Sequence, residues 1–230
     1  MSMAIIDVII PAYNEQCSVG KVIEDIPMEL VREVIVVNNN SSDETSINAV
    51  KAGATVFHES RLGYGYACLK GIAHCSQKKK KPDIIVFMDA DYSDHPEELA
   101  EVVRPIAEEG IDMVIGSRAL GEKEPGSMTP PQVFGNWLAT RLMRIFYGVK
   151  YTDLGPFRAI KFDKLLELNM EDKTYGWTIE MQIKAAKLGM KTTETPVTYR
   201  KRIGKSKVSG TVKGTIFAGV KIILAIFKYL

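Results

Sequence analysis

Two carboxylates close an apolar run at Val86-Phe87-Met88-Asp89-Ala90-Asp91, and the chain's capacity for chemistry concentrates at that junction. Acids flanking one small residue, at the end of a strand, present oxygen ligands at the strand's carboxyl end. Such ligands suit a hard divalent cation, Mg2+ or Mn2+, that also takes diphosphate oxygens. Asp89 and Asp91 are therefore the candidate metal ligands. An Asp-x-Asp pair alone equally describes a loop with helix-capping acids, so its neighbours decide. Two further polar clusters follow apolar runs, Pro11-Ala12-Tyr13-Asn14-Glu15 and Asn38-Asn39-Asn40-Ser41-Ser42-Asp43. Tyr13 can pack on a base or ribose, Glu15 can accept from sugar hydroxyls, and Asn39 can both donate to and accept from a pyrimidine edge. Side by side on one sheet edge, Pro11, Ala12, Tyr13, Glu15, Asn39, Ser41, Asp89 and Ala90 would form a nucleotide-binding rim.

Glycines and cations extend that rim. Glu59-Ser60-Arg61-Leu62-Gly63-Tyr64-Gly65-Tyr66-Ala67 is glycine-rich and opens a helical pattern. Gly63 permits close backbone approach to a ligand, and Arg61 can lie against a base or diphosphate; a turn needing positive φ would use the same glycines. Arg118, Arg158, Arg200, Arg202, Lys205 and Lys207 are the cations to place around phosphates, since a diphosphate needs at least two charge-assisted contacts. The stretch Tyr199 to Lys207 reads either as a phosphate clamp or as a solvated basic loop. His58, His74 and His95 are scattered without metal spacing.

These residues need strands to carry them. Short β-branched runs at Ile5 to Ile10, Val34 to Val37, Thr55 to Phe57, Ile84 to Met88 and Met113 to Ile115 alternate with amphipathic stretches at Val19 to Ile26, Ser42 to Lys51, Gly65 to Gln77 and Pro96 to Glu109. That alternation predicts βαβ units and a mainly parallel sheet. Such sheets bind ligands beyond the carboxyl ends of their strands, where all the clusters above fall. Helix starts are expected at Ser42, with Asp43 and Thr45 early in its first turn, and at Asp94 before Pro96, Glu97 and Glu98. The lysines 78 to 81 read as a solvated turn, and Ala119 to Pro131 as a surface loop of the kind that makes lids. Beyond it a helix from Val133 to Tyr147, a strand near Phe157 to Lys161, a helix near Thr178 to Leu188 and an extended run near Lys191 to Tyr199 are expected.

With 230 residues the chain fits one α/β domain with a short appendage. Its 46% apolar and 25% charged residues describe a chain that buries an interior, which excludes a disordered protein. A formal charge of +2 is too small for a committed nucleic-acid binder. Cys17, Cys68 and Cys75 lack Cys-x-x-Cys spacing and are read as reduced thiols. With no basic leader ahead of the first apolar run, a cytoplasmic protein is expected.

In order along the chain, Pro11 to Glu15, Ser41 to Asp43, Asp89 to Asp91, Gly116-Ser117-Arg118 and Asp153-Leu154-Gly155-Pro156-Phe157-Arg158 resemble the motifs of glycosyltransferase family 2. The similarity is greatest to the dolichol- and polyprenyl-phosphate sugar synthases, and it covers residues 4 to 210. The resemblance implies a GT-A (Rossmann-like) α/β domain, an inverting transfer, a nucleoside diphosphate sugar donor, and Mg2+ or Mn2+ held at Asp91. It implies for Asp153 the place of the family's acid, the first choice for the chemical step; Arg118 is a further catalytic candidate, as a phosphate-binding cation. Glu180 is the alternative acid, or a ligand of donor sugar hydroxyls. The chain departs from the family's pattern at Asn38-Asn39-Asn40, where Asp-Asp-Gly is usual, and at Ser93, where a Gln is usual; Asp94 is a substitute ligand there.

Residues 212 to 230 are apolar apart from Lys213, Lys221, Lys228 and a few small polar residues. At the helical period the lysines form one stripe. A span would bury Lys221 at a cost of about 3 kcal/mol, so an amphipathic helix lying on a cytoplasmic membrane face is expected, with a core-covering or oligomer-forming helix as the alternative. The expected organisation is a catalytic domain over 1–210 and this helix over 211–230. The leading functional expectation is hexose transfer from a UDP- or GDP-sugar to a polyprenyl phosphate. Two others stand beside it: transfer to a saccharide or small-molecule hydroxyl, and nucleotide-sugar binding without turnover.

Overall fold

The computed structural model describes residues 4–204 and 212–230, the side chains of 212–218 excepted. The expected alternation appears as β1 (Ile6–Ala12), α1 (Val19–Glu24), β2 (Glu33–Asn38), α2 (Thr45–Lys51), β3 (Thr55–His58), α3 (Tyr64–Gln77), β4 (Ile84–Phe87), α4 (Leu99–Glu109) and β5 (Met113–Ser117). There follow α5 (Pro130–Tyr147), β6 (Arg158–Lys161), α6 (Phe162–Glu167), α7 (Trp177–Lys187), β7 (Thr192–Pro196) and α8 (Val212–Lys228). The strands form one seven-stranded sheet in the order β3-β2-β1-β4-β6-β5-β7. All neighbours are parallel except β6, which runs antiparallel to both β4 and β5.

Period-two alternation divides the interior into two layers. Ile9, Ile35, Val37, Ile85 and Phe87 face α3, α5, α7 and α8, whereas Val8, Ile10, Val34, Val36, Ile84 and Val86 face α1 and α4. Strands buried on both faces read as continuous apolar runs, which is why they are visible in the sequence. The crossovers leave the carboxyl ends of β1, β2 and β4 adjacent, with Ala12 paired to Asn38 and Ile9 to Phe87.

Three local expectations change. The helix expected from Ser42 begins at Thr45, whose backbone N–H bonds Asp43 Oδ1 at 3.0 Å. Asp94 caps nothing: a 3-10 turn at Pro96–Glu98 precedes α4, and the Asp94 carboxylate turns inward. Lys78 is not a solvated lysine, because its ammonium bonds the fully buried Asp7 carboxylate at 2.6 Å and also pairs with Glu33. Arg32 holds the same Asp7 through a two-pronged contact, so the charge is compensated at the end of the sheet opposite the polar clusters. The junction expected near residue 210 falls outside the described residues.

Candidate active site

Where β1, β2 and β4 end, the chain must leave the sheet sharply, and it does so through left-handed residues. Asn14 (φ 53), Asn40 (φ 64) and Tyr92 (φ 66) all sit one to three residues beyond these strand exits or the acidic pair. Asparagine tolerates this region; an aromatic residue there is a local outlier of the kind found at functional loops. At Tyr92 the turn is braced by Arg200, whose Nε donates to Tyr92 O at 2.7 Å and whose guanidinium lies 3.4 Å from the Tyr92 ring centroid. The result is that Asp89, Asp91 and Asp94, beyond the end of β4, are brought together, Asp91 and Asp94 buried and Asp89 half-buried.

A cavity of about 520 Å3 opens at this edge. Pro11, Ala12, Tyr13, Glu15, Asn39, Gly63, Asp89, Ala90, Asp91, Arg118 and Arg202, all expected from sequence, line it. Opposite them stand Met128, the start of α5 at Pro131, Gln132, Gly135 and Asn136, and Gly219 and Ile222 of α8. A volume of this size is in the range of small-molecule and cofactor sites.

Electrostatically the carboxylate cluster is overcharged. Burial and the nearby Asp91 push the Asp89 carboxyl up to about 6, and burial together with Asp89 and Asp91 pushes Asp94 well above the carboxylate range. Asp89 Oδ1 and Asp94 Oδ1 are buried without a hydrogen-bond partner among the described residues. Asp91 is held differently: the Ser93 N–H and hydroxyl donate to its Oδ1, at 2.8 and 2.5 Å, and the Arg202 guanidinium pairs with its Oδ2. Arg202 arrives on a segment laid along this loop, with Arg200 N donating to Ser93 O and Ile203 N to Asp91 O, both at 2.9 Å. Orphaned carboxylate oxygens in a cluster with surplus negative charge fit a hard cation that shares its ligands with a diphosphate. The described residues contain no ready-made group of three or more side chains for a metal, so such an ion would need the ligand's oxygens.

Arg118 and Asp153 form a fork. Arg118 Nε and Nη2 donate to the two Asp153 oxygens at 2.7 Å each, and Arg118 N–H donates to Oδ2 at 2.8 Å. Burial lowers the guanidinium's proton affinity, but Asp153 outweighs it and the pKa is raised overall. The Asp153 loop is itself fixed: Asn136 Oδ1 accepts from Leu154 N at 2.9 Å, Gln182 donates to Asp153 O at 3.0 Å, and Glu194 accepts from the Thr152 and Asp153 N–H groups. Asp153 does not line the large cavity; it lines a smaller one of about 310 Å3 between the 119–129 loop and α5.

Several expected site residues stand elsewhere. Glu180 is fully buried and spends its carboxylate on the N–H groups of Glu171 and Asp172 (2.8 and 2.7 Å), Lys184 and the Tyr229 hydroxyl, and it does not line the cavity. Arg158 is fully buried and donates to the carbonyls of Leu154, Gly155 and Thr178; burial pulls its pKa down to about 10, and it positions backbone rather than phosphate. Arg200 braces the Tyr92 turn, as described. Arg61 faces Glu59 and the Tyr66 ring, outside the cavity wall. The Ser41 hydroxyl accepts from Asn14 N at 2.9 Å, joining the β1 and β2 exits without lining the cavity. Lys205 and Lys207 lie outside the described residues.

Two tyrosines were missed. Tyr64, at the start of α3, lines the cavity with Asp89, and burial together with that carboxylate raises its phenol well above the usual value. Tyr199 also lines it, with Arg118 5.0 Å from its ring centroid. Tyr64 belongs to the glycine-rich run already singled out, but only the packing of α3 on the sheet aims its ring at β4.

Comparison with known proteins agrees with this geometry. The family model described as glycosyl transferase family 2 matches residues 7–168. An uncharacterized glycosyltransferase of Mycobacterium tuberculosis is 32% identical over 216 residues, covering 93% of this chain and 94% of that protein. An undecaprenyl-phosphate mannosyltransferase of Micrococcus luteus is 30% identical over 231 residues, covering 92% of this chain and 90% of that protein. Among solved structures, glucosyl-3-phosphoglycerate synthase from Mycobacterium tuberculosis, in complex with Mn2+, uridine diphosphate and glucosyl-3-phosphoglycerate, superposes with a TM-score of 0.78 at 23% identity, covering 98% of this chain and 80% of that one. The sheet, the order of motifs and these similarities lead to one assignment: the chain belongs to glycosyl transferase family 2.

Proposed function

We propose that this glycosyltransferase moves a hexose from a nucleoside diphosphate sugar to a polyprenyl phosphate. The observation that carries the acceptor class is the Arg118–Asp153 fork. A hydroxyl acceptor needs a general base within hydrogen-bond reach, and the Asp153 carboxylate is already engaged by Arg118 through both oxygens. Of the acids that do line the large cavity, Asp89 and Asp91 belong to the proposed cation loop and Glu15 to the β1 exit with Tyr13. A lipid phosphate arrives ionised and needs only to be held, which is what Arg118 and Arg202 suit.

In this reading Tyr13 and Asn39 receive the base. Asp89 and Asp91 hold Mg2+ or Mn2+, which when bound neutralises charge developing on the departing diphosphate. Arg202 exchanges Asp91 for a phosphate oxygen, and Arg118, locked by Asp153, faces the acceptor phosphate. Tyr64 steadies Asp89. The surface beside the cavity supports a lipid acceptor. Phe134 and Trp137 of α5 and Val220, Leu224 and Phe227 of α8 are all exposed, and Phe146 and Phe227 join the two helices edge to face with centroids 5.5 Å apart. We infer that this face rests on the membrane surface; no helix among the described residues is long and apolar enough to cross one.

The test is release of nucleoside diphosphate from UDP- and GDP-sugars with Mn2+ and a panel of acceptors: polyprenyl phosphate, a small phosphorylated hydroxy acid and free saccharides. Turnover is expected with polyprenyl phosphate and is expected to fall at least about 100-fold in Asp91→Ala. Turnover confined to the hydroxy acid or saccharides would replace the lipid acceptor, and an active Asp91→Ala protein would remove the metal role.

A further inference from the structure

The side chain of Asn39 carries more information than its position. Asn39 is 5% exposed, and its amide is fixed on three sides. Nδ2 donates to Glu59 O at 3.2 Å and to Arg61 O at 2.7 Å, while Oδ1 accepts from Gly63 N at 2.7 Å. Exchanging oxygen and nitrogen would set an oxygen against two carbonyls and an NH2 against an N–H, so the network permits one orientation. Both amide donors are spent, and one of two lone pairs on Oδ1 is spent. Toward the cavity Asn39 therefore offers a single acceptor and no donor.

That acceptor is held in place by its surroundings. Arg61 Nε and Nη2 grip Glu59 at 2.8 Å each, fixing the loop whose carbonyls hold the amide. Gly63 has φ +149, and a Cβ there would fall 2.1 Å from Lys173 O, so the loop is wedged against its neighbour. Around Asn39, the cavity wall is completed by Pro11, Tyr13 and Leu62.

Resting on the sugar-nucleotide reading above, we propose that Asn39 Oδ1 selects a base with a lone ring imide N–H, so that the donor is a uridine or thymidine diphosphate sugar rather than a guanosine or cytidine one. Uracil presents N3–H as its one ring donor, which matches one acceptor. Cytosine presents an unprotonated N3 at the same place, and two lone pairs would then meet. Guanine presents N1–H beside its amino group, two adjacent donors that a carboxylate satisfies and a single committed amide oxygen does not. Glu15, the nearest acid along the wall in sequence, has its carboxylate hydrogen-bonded to Ser18 Oγ at 3.0 Å. A site built around one hydrogen bond rejects the analogue lacking it because a buried polar group is left unpaired.

The experiment is calorimetric binding of UDP, CDP and GDP to the full chain in Mn2+, repeated with Asn39→Ala. UDP is expected to bind at least about tenfold more tightly than CDP and GDP, and Asn39→Ala, checked for folding by circular dichroism, is expected to bring UDP to the level of CDP. The ratio of UDP to CDP in the unaltered protein stands even if the variant loosens the loop, because these ligands differ only at the pyrimidine edge. CDP or GDP binding as tightly as UDP, or a folded Asn39→Ala protein that keeps the preference, overturns the base assignment while leaving glycosyl transfer intact. Failure of all three nucleotides to bind overturns the sugar-nucleotide reading, and the base assignment with it.

Discussion

Asp153 and Arg118 decide how the reaction is read. A carboxylate with one oxygen open to the cavity would be a base; one that accepts Arg118 Nε, Nη2 and N–H at 2.7, 2.7 and 2.8 Å is a socket for a cation. If the socket is the function, Asp153→Asn and Arg118→Lys lose the same thing, because lysine cannot reproduce the two-pronged contact. Each is expected to lower kcat/KM for polyprenyl phosphate by about 100-fold, with the double variant close to either single one and the pH profile unshifted. An Arg118→Lys protein near full activity beside an inactive Asp153→Asn protein would make Asp153 the base. The sequence disclosed which residues gather here, since acids, asparagines and arginines at strand ends are visible in the linear order. It did not disclose which functional groups stay available. Arg158 and Glu180 look like site residues by type, yet their partners are backbone carbonyls and N–H groups contributed by segments distant in the chain, which no local pattern predicts. Asn39 is the converse case: legible as a nucleotide contact, but reduced to a single acceptor by a loop 20 to 24 residues further on.

At the scale of elements, α8 exposes apolar side chains beside its lysines. Lys221 and Lys228 are exposed but engaged: Lys221 bonds Thr174 Oγ1 at 2.7 Å and Lys228 bonds Glu171 at 2.9 Å, tying the helix to the 171–174 loop, while the side chain of Lys213 lies outside the described ones. Ala225 and Ile226 are buried against the domain, and Val220, Leu224 and Phe227 are left in solvent. The cations of this face come instead from α5, where Arg141 and Arg144 are exposed next to Trp137 and Ile145. Apolar groups of this kind beside positive charge suit an anionic lipid surface. Each large side chain withdrawn from water contributes about 1.5–3 kcal/mol. Replacing both Leu224 and Phe227 by Asp is therefore expected to weaken co-sedimentation with anionic vesicles at least tenfold, which is about 1.4 kcal/mol. Unaltered partitioning would assign the face to another partner. The elements themselves were largely legible because buried strands are continuous β-branched runs. Short α6 was missed, having fewer than two turns and no periodicity to detect. The insertion of antiparallel β6 between β4 and β5 was missed as well, since strand order depends on how distant segments pack and leaves no mark on Arg158–Lys161.

For the molecule as a whole, strand order creates the site. Placing β1 between β2 and β4 sets three strand exits beside one another, and left-handed residues at Asn14, Asn40 and Tyr92 turn the chain just beyond them. The segment from Tyr199 to Ile203 closes the opposite wall by bonding to the Asp91–Asp94 loop, which links the carboxylate cluster to the chain leading toward α8. Donor, cation and acceptor would thus converge on one cavity that opens next to an apolar surface. Anomalous scattering from crystals grown with Mn2+ and UDP examines this convergence directly. The expected result is a manganese peak about 2.0–2.6 Å from an Asp91 carboxylate oxygen and from the diphosphate, with the uracil against Tyr13 and Asn39. A peak away from the Asp89–Asp91 loop, or UDP ordered in the cavity with no manganese beside these acids, would contradict it.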